Sequence, residues 1–316
     1  MGKVLVFGRK KPNNDSIMSA LVFAQMRNQL EDADEYVAMR LGDLPYETDK
    51  MFRAWGVPQL PLLDRIPLPL PGEERVRVAL TDHNEASQSV EGIGYARVMT
   101  VIDHHRVAGF RSFEPMEFIA LPWGATCSIV AHLFDAYGLQ PTEIQAACLL
   151  SAIMTDTVLL KSPSTTIADV TYAERLSKHL HVDPLEFGRQ VFRFRRTEAY
   201  TPEQMVGSDV KRFDVGGRSV LIAKYETVNK DYALNRLPEL RSAMDELRER
   251  ERADTLVQCV VDVTNEGAQL LACGDMALVQ EGLGRRVPEG GVWMDGVLSR
   301  KVQIAPRILA AAELLR

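Results

Sequence analysis

The chain has no long apolar run, no paired cysteines and no excess of positive charge, and each absence removes a class of function. Its longest apolar runs, such as 146–154, fall well short of the ~20 residues that span a bilayer, and the opening residues lack the apolar segment of a secretory signal. No membrane partner and a cytoplasmic location are therefore expected. The four cysteines, Cys127, Cys148, Cys259 and Cys273, are scattered without a Cys-x-x-Cys pair, which fits neither a disulfide framework nor a zinc knuckle. A net charge of −6 gives no basic field to hold nucleic acid, so none is expected as a partner. Phosphate-loop and nucleophile-elbow motifs are missing, and Gly92-x-Gly94 lacks the third glycine of a dinucleotide fingerprint, which leaves ATP and NAD unsupported.

What is present is an ordinary globular composition. With 316 residues, 46% of them hydrophobic, and a mean hydropathy of −0.11, the length suggests two domains. The first half alternates short apolar runs with amphipathic stretches. Residues 3–7, 36–40, 76–80 and 98–102 read as strands, and 16–30 as a helix that Asp15 or Ser16 would cap. This is the pattern of an α/β fold built on a doubly wound parallel sheet. Five prolines in 58–72 make that segment a stiff surface loop, and 124–180 is mostly helical. The mixture of arginines, aromatics and a proline over 186–202 suggests the linker. Residues 1–190 are then the first domain, 191–200 the linker and 201–316 the second domain. In the latter, 210–213 and 219–225 read as strands paired around Gly216 and Gly217. A helix over 236–252 has the apolar stripe Leu237, Leu240, Met244 and Leu247, so its charges form a solvated face. Strands at 256–263, 269–273 and 291–298 complete a second, smaller sheet, with a closing helix after Pro306.

Chemistry concentrates where apolar runs end. Asp15, Asp82, Asp103-His104-His105 and Asp156 all follow such runs, and ligands bind at the carboxyl ends of the strands in open parallel sheets. Carboxylates and imidazoles gathered there suit a divalent cation such as manganese or magnesium. Taken singly, any of these residues could equally cap a helix or finish a strand.

Jointly they carry a resemblance. Asp82-His83-Asn84-Glu85, Ile102-Asp103-His104-His105-Arg106, the stretch from Leu150-Ser151-Ala152-Ile153 through Asp156 to Lys161-Ser162-Pro163, and Ser299-Arg300-Lys301 with Gln303 and Pro306 resemble the manganese-dependent (family II) inorganic pyrophosphatases of the DHH phosphoesterase superfamily. The resemblance covers nearly the whole chain. It implies a parallel-sheet DHH domain followed by a smaller α/β domain of DHHA2 type, with the active site in the cleft between them. It makes Asp15, Asp82, His104 and Asp156 the ligands of one metal site. His105 would contact substrate and transfer protons, Arg300 and Lys301 would clamp the phosphates, and Asp103 would orient a histidine. It also implies a homodimer.

Two departures qualify it. Where the family has Gly-His-x-x-Pro-Asp-x-Asp, this chain has Gly8-Arg9-Lys10-Lys11-Pro12-Asn13-Asn14-Asp15. Arg9 stands in place of a ligand histidine and Asn13 in place of a ligand aspartate. A guanidinium cannot coordinate a cation, and an amide is a poor substitute for a carboxylate. The second metal is expected to be lost, with Arg9 in its role and Lys10 beside it for substrate. The family's substrate-binding lysine in the linker falls at Ala199 or Tyr200, leaving Arg193, Arg195 or Arg196 as substitutes.

The expected activity is hydrolysis of a phosphoanhydride, pyrophosphate or another small phosphorylated ligand, weak or redirected. The expected cofactor is one manganese ion per chain, with magnesium or cobalt as alternatives. The competing expectation is a non-catalytic phospho-ligand sensor that keeps the cleft.

Overall fold

A computed structural model describes residues 2–30, 34–112, 114–194 and 200–315. The chain divides into two compact units, Met1–Phe194 and Arg195–Arg316.

The first unit runs β1 (Gly2–Phe7), α1 (Asn14–Gln29), β2 (Asp34–Met39), α2 (Tyr46–Trp55), β3 (Arg77–Thr81), β4 (Arg97–Asp103), β5 (Glu117–Ala120), α3 (Thr126–Ala136), α4 (Glu143–Asp156), α5 (Ile167–His179) and α6 (Pro184–Phe194). Its sheet has the order β2-β1-β3-β4-β5 and every pairing is parallel. The strand order reverses at β1, so the crevice beyond the carboxyl ends of β1 and β3 is the topological switch point where such sheets bind ligands. The edge strand β5 was not legible in the sequence: in Glu117-Phe118-Ile119-Ala120 no residue is fully buried, and so short a strand carries little periodic signal.

Helix α1 is buried without a break from Asn14 to Ala24, the polar Asn14, Asp15, Ser16 and Ser19 included, as a central helix must be. Its cap is neither Asp15 nor Ser16. Asn13 fills that place, accepting the Ser16 N–H at 2.9 Å, because the Asp15 carboxylate is already bound to two backbone N–H groups of α3. Helix α4 starts on a capping box between Thr142 and Gln145 and carries Asp156 as its last residue. The proline-rich loop is free of helix and strand but is pinned by two isolated bridges, Arg40 to Leu62 and Arg65 to Glu91. The proposed linker begins inside α6, where Val191 and Phe192 are buried and Phe187 stacks on Trp55 at 6.3 Å. Burial of that apolar stripe keeps the helix regular up to Phe194.

The second unit runs α7 (Pro202–Gly207), β6 (Val210–Val215), β7 (Arg218–Thr227), α8 (Lys230–Leu234), α9 (Leu237–Arg250), β8 (Thr255–Asp262), β9 (Gly267–Gly274), α10 (Met276–Leu283), β10 (Val292–Asp295) and α11 (Ala305–Leu314). Its sheet, β10-β9-β8-β7-β6, has five strands like the first, so it is not the smaller of the two. Pairing is mixed: only β7 and β8 run parallel. All eight residues of the central β8 are buried. Leu240, Met244 and Leu247 of α9 pack into a core with Leu221, Leu256, Val260 and Leu271, which leaves the charged side of α9 outward.

One glycine sets the geometry of the switch point. A Cβ on Gly8 would lie 2.2 Å from Ser16 Oγ and 2.4 Å from Ser16 O, so the loop after β1 can close on the first turn of α1 only without a side chain. Gly8→Ala is expected to destabilise the fold by about 1–3 kcal/mol through forced displacement of that turn. A urea midpoint unchanged from wild type would show that the contact carries no constraint.

Candidate metal site and its cationic surroundings

Parallel strands present their carboxyl ends on one edge, so the residues following β3 and β4 emerge together beside the start of α1. Asp82 follows β3, Asp103 ends β4, and His104 and His105 come next. Asp15 lies in the first turn of α1, and Asp156 ends α4. The structure brings all four expected ligands together. His104 Nε2 lies 3.4 Å from Asp82 Oδ1 and 3.5 Å from Asp156 Oδ2. Two overlapping triads result, Asp82-His104-His105 and Asp15-His104-Asp156, each with its ligand atoms within 4.8 Å of one another.

Each side chain is held by groups outside the cluster. Asp15 accepts the Thr126 N–H at 2.7 Å and the Cys127 N–H at 2.9 Å, the positive N-terminal end of α3. Nδ1 of His104 lies 3.0 Å from the Trp123 carbonyl. Only a donor bonds a carbonyl, so the proton sits on Nδ1 and Nε2 keeps the lone pair that a metal needs. Asp103 acts as the anchor of the histidine pair. Its Oδ1 accepts the backbone N–H of His104 at 2.8 Å and of His105 at 3.0 Å, and also His105 Nδ1 at 2.8 Å. Its Oδ2 accepts Asn84 Nδ2 at 2.7 Å. His83 bonds the Thr81 carbonyl instead, and burial lowers its pKa, so it is a neutral core histidine.

The electrostatics favour a cation. Burial, followed by the charges of Asp82 and Asp156, raises the Asp15 carboxyl from 3.8 to about 7. Burial would also raise Asp82, but the neighbouring His104, His105 and Arg9 outweigh it and hold that carboxyl well below the ordinary range. Two buried carboxylates, Asp15 and Asp82, with the partly buried Asp156 and one imidazole match the donor preference of manganese or a similar ion, and the residues present fit one such ion.

Backbone strain accompanies two ligands. Asp82 has φ +58°, and Val158, Leu159 and Leu160, two to four residues after Asp156, have φ of 51°, 58° and 62°. A left-handed turn of apolar residues costs roughly 1–2 kcal/mol per residue. Burial of Val158 and Leu159, with hydrogen bonds from Leu159 N to Met154 O and Leu160 N to Thr157 Oγ1, offsets it. The turn redirects the chain immediately after the ligand. Nothing in the residue types of Val-Leu-Leu signals it.

The divergent loop also enters the cluster. Arg9 is 8% exposed, and its Nε lies 3.4 Å from Asp82 Oδ2. Asn13 donates Nδ2–H to Asp156 Oδ1 at 3.0 Å. Lys10 is exposed, and its backbone N–H bonds Gln88 O at 2.7 Å. In the second unit Arg300 is buried, opening a single π-helical turn, Arg300–Ile304. Its guanidinium donates to the Asp209 and Ile222 carbonyls at 2.7 and 3.2 Å and pairs with Asp209 Oδ1 at 3.1 Å. Half-buried Lys301 follows it. Gln303 shapes the preceding loop, accepting the N–H groups of Leu298 and Ser299 at 2.9 Å each. Sequence reading missed Asp209, Lys224 and Glu226, which form the charge network around Arg300, with Lys224 Nζ 2.7 Å from Glu226 Oε1. The alternation of Lys224 and Glu226 along β7 was the available signal for those two. Of the linker candidates, Arg193 pairs with Glu186 on α6. Tyr200 packs against the second unit's core, while Arg195, Arg196 and Ala199 lie outside the described residues.

Comparison with known proteins agrees with this geometry. Residues 3–153 match the DHH family, N-terminal domain, and residues 195–311 match the DHHA2 domain. A manganese-dependent inorganic pyrophosphatase of Methanocaldococcus jannaschii is 32% identical, over 95% of this chain and 96% of its own. A Staphylococcus haemolyticus protein named "Probable manganese-dependent inorganic pyrophosphatase" is 34% identical, over 98% of this chain and 99% of its own. The crystal structure of a Methanococcus jannaschii family II inorganic pyrophosphatase superposes with a TM-score of 0.85 at 29% identity, covering 98% of this chain and 99% of that one. The chain therefore belongs to the manganese-dependent (family II) inorganic pyrophosphatases.

The raised Asp15 carboxyl gives a pH signature for metal-stripped protein. A carboxyl that holds its proton more tightly when folded favours the fold fully below its unfolded pKa, and the contribution is lost as pH rises through the folded value. Asp15 should therefore lower the melting temperature between about pH 4 and pH 7, while Asp82 acts only at lower pH. Asp15→Asn should flatten this slope. A variant with the wild-type slope would place the titration elsewhere.

Proposed function

We propose that this chain hydrolyses pyrophosphate to two phosphates, using a divalent cation held by Asp15, Asp82, His104 and Asp156, one ion per chain, with manganese preferred over magnesium or cobalt. The observation that carries this is the pair of donor triads that share His104 at the switch point, with Asp15, Asp82 and His104 buried, in a family whose members are named for that activity. When bound, the cation supplies a nucleophilic water at neutral pH and offsets phosphate charge.

The chain's own residues do the rest. His105, fixed through Nδ1 by Asp103, has Nε2 for proton exchange with substrate. Arg300 and Lys301 offset the charge of the phosphates, and the buried ion pair to Asp209 holds the guanidinium in one orientation. Lys10, exposed at the mouth of the loop after β1, adds attraction for an anion.

The edge strand β5, paired only with β4 among the described residues and carrying the partly exposed Phe118, supports a homodimer through the first unit. Among the described residues no helix is long and apolar enough to cross a membrane. The four unpaired cysteines suit the reducing cytoplasm.

Phosphate release from pyrophosphate, measured on metal-stripped protein reconstituted with manganese, tests this reading. Turnover is expected, and Asp156→Ala should reduce it by at least about 10²-fold, the scale of losing one electrostatic contributor. Release that is absent, or unchanged in the variant, would reject hydrolysis and leave the reading of a phospho-ligand sensor. Light scattering checks the dimer: a mass of one chain would remove it.

A further inference from the structure

We infer that Arg9 and Asn13 together fill the place of a second cation, so that the protein carries one of its two positive centres in its own sequence. This rests on reading the four-residue cluster as the metal site. Two of its carboxylates are divided in the same way. Asp82 directs Oδ1 to His104, at 3.4 Å from Nε2, and Oδ2 to Arg9, at 3.4 Å from Nε. Asp156 directs Oδ2 to His104, at 3.5 Å, and Oδ1 to Asn13 Nδ2, at 3.0 Å. A carboxylate with one oxygen on each side can bridge two cations. Here the outer oxygen of both meets a donor from the same short loop.

The chemistry of that loop excludes a metal. A guanidinium has donors only, and the amide of Asn13 is oriented by its surroundings. Its Oδ1 accepts the Ser16 N–H at 2.9 Å, which leaves the N–H side for Asp156. Turning the amide over would break the helix cap and set two oxygens face to face. Arg9 is tethered as well: its backbone N–H bonds Ser16 Oγ at 2.8 Å and its side chain bonds the Lys11 carbonyl at 3.3 Å. The balance of charge is kept. A dication with one carboxylate and a neutral imidazole sums to one positive charge, and so does an arginine beside an asparagine.

Arg9 is thus a positioning residue. It neutralises the outer oxygen of Asp82 and fixes the inner one toward the remaining cation. The exchange costs reactivity, because a guanidinium does not activate water as a metal does, and it removes dependence on a second ion.

Metal counting by equilibrium dialysis, together with the manganese EPR spectrum, tests the inference independently of turnover. Wild type at saturating manganese should bind one ion per chain and show the spectrum of an isolated ion. The double variant Arg9→His, Asn13→Asp replaces both donors with ligands and should bind two, with exchange coupling between them. Arg9→Gln should still bind one ion, with phosphate release lowered by about 10²- to 10³-fold and partly restored in Arg9→Lys. Two coupled ions in wild type would overturn the inference whether or not any variant folds. A folded double variant that stays at one ion, or full turnover in Arg9→Gln, would also overturn it. A wild-type count of one without phosphate release would instead reject the hydrolytic reading and leave the inference standing.

Discussion

Two buried carboxylates, Asp15 and Asp82, and the partly buried Asp156 repel one another, and the first unit is arranged around that repulsion. Charge of one sign is tolerated in a dry interior only where opposite charge or oriented dipoles meet it. The N-terminus of α3 holds Asp15, the Arg9 guanidinium lies against Asp82, and the Asn13 amide supports Asp156. Even so, the Asp15 carboxyl is raised to about 7, so these contacts do not balance the cluster without a further cation. The fold concentrates negative charge where it can be exchanged for a bound ion.

The rest of the unit serves to hold that concentration in place. The switch point of the parallel sheet brings three chain segments to one edge, and α4 delivers a fourth from the side. Gly8 lets the loop after β1 close on α1. The left-handed turn of Val158–Leu160 diverts the chain after Asp156, and the Asp103 carboxylate locks both histidines. Several of these features cost conformational energy locally and are offset by burial, the usual arrangement at a site where geometry matters more than ease of folding.

Much of this was legible in the sequence because the chemistry falls at the ends of apolar runs. Strand ends announce themselves through periodicity, so Asp82, Asp103 and His104 could be assigned to one edge before any coordinates, while Asp156 ends an apolar helical run. The replacement of ligand types at Arg9 and Asn13 was visible against the motif of the family the sequence resembles. What could not be read was how those residues are used. Asn13 was passed over as helix cap in favour of Asp15 or Ser16, since all three are good caps and the choice depends on a tertiary contact between Asp15 and α3. The left-handed turn is hidden because valine and leucine carry no signal for positive φ. The charge network joins Lys224 and Glu226 on β7 to Asp209 just before β6, a contact that only the pairing of those segments reveals.

The central claim is that one metal ion and one arginine share the carboxylates of this cluster. Anomalous diffraction at the manganese edge, from crystals grown with the ion in excess, measures it most directly. The account predicts a single strong peak among Asp15, Asp82, His104 and Asp156, with the Arg9 guanidinium still against Asp82 Oδ2. A second peak at that oxygen, with Arg9 turned away, would contradict it.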